Sequence, residues 1–122
     1  MASPIRLAFA FLLLSAAACG DKPAKEGGAP AGSGKTVDVA MTADMKFVPD
    51  SITIDVGDTV RWTNKDATTK HTATRKDSPE SFDSGKIGAN ATFTHTFQTK
   101  GTFPYVCTPH VAENMVGTIT VR

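Results

Sequence analysis

The chain has 122 residues, 40% of them hydrophobic, and a formal net charge of +1. From Cys19 onward 12 Lys or Arg are balanced by 12 Asp or Glu, which argues against nucleic acid or an acidic substrate recruited by bulk electrostatics. The length holds one small core and leaves no room for a separate substrate-binding domain.

Residues 1–18 have the layout of a secretory signal peptide. Met1 to Arg6 carries one positive charge, Leu7 to Leu14 is an unbroken apolar run, and Ser15 to Ala18 are all small. The apolar run is too short to span a bilayer as a resident helix. The small residues end at Cys19-Gly20, which resembles the lipobox of bacterial lipoproteins, where the cysteine is lipidated and becomes the first mature residue. The pattern departs at Ala16, where Leu is usual. The alternative is a plain signal peptide cleaved near Ala18, with an incidental cysteine. A disulfide between Cys19 and Cys107 would require a flexible tether to dock, so Cys107 is expected to be a free thiol. Residues 21–35 have no large apolar side chain and are dense in Gly, Pro and Ala. They cannot offset their ordering entropy by burial, so 19–35 is expected to be a lipidated, flexible linker. As a coil it would reach about 20–25 Å.

Residues 36–122 form the folded part. Thr36 to Met41 alternates apolar and polar residues as a half-buried strand does. Met45 to Pro49 is a second extended piece. Ser51 to Val56 puts Ile52, Ile54 and Val56 on one face. After the turn at Gly57-Asp58, Thr59 to Asn64 puts Val60 and Trp62 on one face, and Lys65-Asp66 turns the chain. Thr68 to Arg75, with four threonines around His71, favours a strand. The polar stretch 75–91 reads as a long loop. Ala91 to Phe97 is a strand with Phe93, His95 and Phe97 on one face, and Thr102 to Cys107 one with Phe103, Tyr105 and Cys107 together. Within it, Pro104 lacks an N–H and so must face a sheet edge or an irregularity. Val116 to Val121 is the last strand. No stretch has helical spacing, and seven or eight short strands separated by turn signals point to an all-β sandwich.

The chemistry gathers in the loop after Cys107, which holds a thiolate donor, His110 and Met115, and His71 supplies a further imidazole if the fold brings it in. Each residue alone has an ordinary explanation: a buried small hydrophobe, a solvated loop histidine, core filler. Together, Cys-x-x-His-x-x-x-x-Met beside a strand, with a second His on another strand, points to a metal. Structural zinc has no use for a thioether and hard cations want oxygen, whereas two imidazoles, one thiolate and a weak thioether suit copper. His95 reads as a partly buried, hydrogen-bonded core residue.

These residues resemble the plastocyanin-like and pseudoazurin-like blue copper proteins, the cupredoxins. Cys107-Thr108-Pro109-His110 through Met115-Val116-Gly117 is similar to their ligand loop. Phe47-Val48-Pro49, Gly57 to Asn64 and His71 are similar to their front half, and Phe82-Asp83-Ser84-Gly85, Phe97 and Gly101 to Cys107 to their back half. The resemblance implies a Greek-key sandwich holding one mononuclear type 1 copper. It implies His71, Cys107 and His110 as in-plane ligands and Met115 as the long axial one. Electrons would pass through the edge of His110, ringed by Pro109 and Val111. Many members have Asn after the first ligand histidine, where it braces the cysteine loop; here it is Thr72, whose hydroxyl is expected to take over part of that work, with consequences for the potential.

The expectation is an exported, membrane-anchored one-electron carrier of the periplasm or cell envelope, held at Cys19. It is expected to be a monomer that meets redox partner proteins near His110, with no nucleic acid, no small-molecule substrate and no enzymatic activity. The competing expectation is a copper carrier or buffer that uses the same ligands.

Overall fold

The computed structural model describes residues 34–122, so the leader, Cys19 and nearly all of the linker lie outside the described residues. The alternating segments fold as β1 (Thr36–Met41), β2 (Phe47–Val48), β3 (Ser51–Ile54), β4 (Thr59–Asn64), β5 (Thr74–Arg75), β6 (Phe82–Asp83), β7 (Thr92–Thr96), β8 (Gly101–Val106) and β9 (Val116–Val121). One sheet has the order β2-β1-β4-β7 and the other β3-β9-β8-β5-β6. The chain changes sheet between β2 and β3, β3 and β4, β4 and β5, β6 and β7, and β7 and β8. The result is the expected Greek-key sandwich. Strand pairs β1–β4 and β3–β9 run parallel; β4–β7 and β8–β9 run antiparallel.

The period-two patterns sort residues to the two faces as side-chain alternation requires. In β4, Val60, Trp62 and Asn64 are buried, and in β8 Phe103 and Tyr105 are buried. Continuing that parity by one step makes Cys107 inward-facing, and it is fully buried. Trp62 lies between the sheets, its ring 5.2 Å from Phe82 and 5.4 Å from Tyr105. Phe47 also packs on Tyr105, with ring centroids 4.6 Å apart. This aromatic block includes Tyr105, two residues before Cys107, and so fixes the end of β8 that leads into the following loop.

Four details differ from the sequence reading. The strand expected over 68–75 shrinks to β5, with His71 making only an isolated antiparallel bridge to Ile87. The cause is upstream: Asp66 takes the backbone N–H groups of Thr68 and Thr69, and Asn64 takes the Thr69 carbonyl. Side chains that bind backbone groups in this way compete with the sheet ladder. The expected loop over 75–91 contains β6, where Phe82 is buried and pairs opposite Arg75. A 3₁₀ helix, Thr108–Glu113, occupies the loop between β8 and β9, interrupted by non-helical angles at His110; a segment this short and exposed shows no apolar periodicity. Finally, Lys35 belongs to the domain and not to the linker. Its N–H donates to Asp58 Oδ1 at 3.0 Å and its carbonyl accepts from Thr59 at 2.9 Å. Pro104 follows expectation: β5 reaches only Val106 of β8, so Pro104 stands at an effective edge, where Arg75 Nη1 donates to its carbonyl at 3.1 Å.

Candidate metal centre

Cys107 follows β8 in extended conformation (φ −91°, ψ 111°) as the N-cap of the 3₁₀ helix, which has Pro109 in its first turn. Asn114 ends that turn in the left-handed region (φ 59°, ψ 39°), which an asparagine adopts more readily than most residues. The reversal returns Met115 to Cys107, whose N–H donates to the Met115 carbonyl at 3.0 Å. The His110 N–H donates to the Cys107 carbonyl at 3.0 Å. The backbone therefore binds the thiol, one imidazole and the thioether residue into a single closed loop.

His71 reaches this loop from the β4–β5 connection. Its N–H and C=O both bond Ile87, at 3.2 and 2.8 Å, and its side chain is fully buried. Its Nδ1 lies 3.7 Å from Cys107 Sγ and 3.2 Å from His110 Nδ1, and the latter lies 3.3 Å from Sγ. A circle drawn through these three atoms has a radius of about 2.0 Å, close to the metal–imidazole bond length of about 2.0–2.1 Å known for zinc. The three donors thus surround a space of the size of one first-row metal ion. Met115 is fully buried in the same loop. Among the described residues, His71, Cys107 and His110 are the grouping of His, Cys and acidic side chains that suits a metal ion. His95 stands apart, half-buried, with Nε2 2.8 Å from Glu80 Oε2.

The surroundings of Cys107 are built by Thr72. Its backbone N–H points at Sγ from 3.3 Å. Its hydroxyl accepts from the Thr108 N–H at 2.9 Å and lies 3.1 Å from the Thr108 hydroxyl. The Thr74 hydroxyl lies 3.0 Å from that of Thr72 and 3.1 Å from Asp83 Oδ1. The bracing expected of Thr72 is therefore present. Burial pushes the Cys107 thiol up, opposed in part by the Thr72 N–H; coordination to a metal would deprotonate it outright.

Two contributing residues escaped the sequence reading, where Lys65-Asp66 is only a turn. Asn64 Nδ2 donates to the carbonyls of Thr69 and Ile87, each at 2.8 Å, while its Oδ1 accepts the Asp66 N–H at 2.7 Å. Asp66 Oδ2 lies 3.2 Å from His71 Nε2. The signal that was available is Asn-x-Asp at a strand end five residues before a histidine, since Asn and Asp organise such turns through their own side chains.

Comparison with known proteins agrees with this geometry. Residues 34–122 match the family model described as copper binding proteins, plastocyanin/azurin family. The chain is 36% identical to a halocyanin of Natronomonas pharaonis over 78 residues, 62% of this chain and 48% of that protein, so it spans about half the length of that relative. It is 33% identical to a plastocyanin of Scenedesmus fuscus over 103 residues, 70% of this chain and 99% of that one. Among solved structures, a purple cupredoxin from Nitrosopumilus maritimus superposes with a TM-score of 0.61 at 26% identity, covering 70% of this chain and 98% of the other. Donor chemistry, spacing and kinship converge: the chain belongs to the plastocyanin/azurin family of copper-binding proteins, and its cofactor is one copper ion.

Proposed function

We propose that this protein is a one-electron carrier whose copper would be held by His71, Cys107 and His110, with the thioether of Met115 as a fourth, weaker donor. The observation that carries the reading is the convergence of Sγ and two Nδ1 atoms within 3.7 Å of one another. When bound, copper supplies the Cu(I)/Cu(II) couple. The protein's part is to keep the ligands still. His71 is locked by two backbone bonds and Asp66, and Cys107 by the Thr72 N–H and the Met115 carbonyl. Ligands held in this way favour neither oxidation state by moving. His110 is the half-buried member of the set, flanked by the exposed Pro109 and Val111, and its edge is the contact offered to partner proteins. The domain is proposed to act as a monomer, exported and tethered through a lipid on Cys19, a reading supported by the signal-peptide layout of residues 1–18.

Visible and EPR spectroscopy of the copper-loaded protein tests the ligand set. An intense blue band that bleaches reversibly with reductant is expected, and Cys107→Ser should abolish it. His71→Ala should change its position or lose it. A colourless form that binds only Cu(I) and exchanges it quickly would favour a copper carrier instead. Cys19→Ser should release the protein from membranes; unchanged membrane association would refute the anchor.

A further inference from the structure

We infer that Asp66 is a positioning residue of the copper centre: its carboxylate fixes the His71 tautomer that turns an unprotonated Nδ1 toward Cys107 and His110, and its charge favours the oxidised centre. This rests on the proposed role of His71 as ligand. The His71 Nδ1 faces Sγ and His110 Nδ1, and Nε2 faces Asp66 Oδ2 at 3.2 Å. An ionised carboxylate only accepts hydrogen bonds. The proton of neutral His71 therefore sits on Nε2, and Nδ1 keeps its lone pair for a metal. A histidine ligand backed by a carboxylate is both oriented and made more basic.

The two oxygens of Asp66 have separate duties. Oδ1 accepts from the Thr68 N–H at 2.9 Å, the Thr68 hydroxyl at 3.0 Å and the Thr69 N–H at 3.1 Å. Oδ2 faces His71. The side chain is only 3% exposed. A purely structural Asx turn would need Oδ1 alone. The second oxygen, aimed at a ligand histidine, is the part a turn leaves unexplained.

Asp66→Asn separates the two duties. Its amide oxygen would stay with the three donors of Oδ1, which turns the NH₂ group toward His71 Nε2. His71 would then have to accept there and carry its proton on Nδ1, the form that cannot bind metal without rearrangement. We expect ¹⁵N NMR of the copper-free wild type to find His71 protonated on Nε2, and of Asp66→Asn on Nδ1. Competition titration should find Cu(II) binding weakened by about 10–100-fold in the variant. Loss of the negative charge should shift the Cu(I)/Cu(II) equilibrium about tenfold toward Cu(I), a rise of ~59 mV in midpoint by voltammetry. A wild-type His71 protonated on Nδ1 overturns the proposal, as does a variant with unchanged tautomer and midpoint. If Asp66→Asn fails to fold, the wild-type tautomer decides by itself. The tautomer is measured without copper, whereas the ligand reading stands or falls on the wild-type spectrum, so the two failures are distinguishable.

Discussion

Replacing Thr72 by valine keeps the branched shape of the side chain and removes one hydroxyl from beside the copper loop. Thr72 is 3% exposed, so water cannot take the hydroxyl's place. The Thr108 N–H, 2.9 Å from Thr72 Oγ1, loses its acceptor, and an unsatisfied donor of this kind costs about 1–3 kcal/mol. The other two partners lose little: the Thr74 hydroxyl still has Asp83 at 3.1 Å, and Thr108 is exposed and turns to solvent. A net loss of about 2 kcal/mol is expected, which for a domain of this size lowers Tm by about 8–16 °C. The bond from the Thr72 N–H to Cys107 Sγ is made by the backbone and survives the substitution, so stability should fall while the blue absorption stays close to its original wavelength. Urea denaturation of the copper-free protein measures the first quantity and the visible spectrum of the loaded protein the second. Thr72→Ser should recover most of the loss. A Thr72→Val protein within about 0.5 kcal/mol of wild type, the range of an ordinary surface change, would refute the bracing role.

Three further outcomes are expected. Gly117→Ala would put a Cβ 2.5 Å from Cζ and Oη of Tyr105, a ring backed by Phe47 and Trp62 with no space to retreat; a destabilisation of about 1–3 kcal/mol should appear in denaturant melts, and none would show that the core yields more than its packing indicates. Asn64→Asp would replace the two N–H donors facing the Thr69 and Ile87 carbonyls by an acceptor; a loss of about 3 kcal/mol or more is expected from a buried, uncompensated charge, measured by the same melts. Glu80 joins the edges of the two sheets, accepting from the backbone N–H groups of Gln98 and Thr99 and meeting His95. Burial raises its pKa, but the bonds from His95, Gln98 and Thr99 together outweigh this and leave it below the ordinary 4.5. Its stabilisation is therefore complete above pH 4.5 and is lost as the pH falls through the lowered value. Glu80→Gln should flatten that acid limb of the stability–pH curve, and a limb of unchanged steepness would assign it to other carboxylates.

The alternating strands were legible because one buried face writes itself into every second residue. Val60 with Trp62, and Phe103 with Tyr105 and Cys107, all took the side their parity indicated. The proposed ligand loop was legible for a different reason: Cys107, His110 and Met115 lie in one short loop, so their spacing alone reports their proximity. The segment around His71 misled. Four threonines signal a strand, but the local bonds of Asn64 and Asp66 removed the backbone groups that a ladder needs. β6 was invisible because two residues carry no period.

What remained for the folded chain to decide is everything that depends on separation in sequence. That His71 meets Cys107 across 36 residues follows from the sandwich bringing the β4–β5 connection against the end of β8. That Thr72 rather than some other hydroxyl braces Thr108, and that Asp66 turns one oxygen to a turn and the other to an imidazole, follows from the same packing. Side-chain type and local period are properties of neighbours along the chain and can be read there. The direction in which a particular oxygen points is set by groups from several strands at once, and it exists only after those strands have closed around the same core.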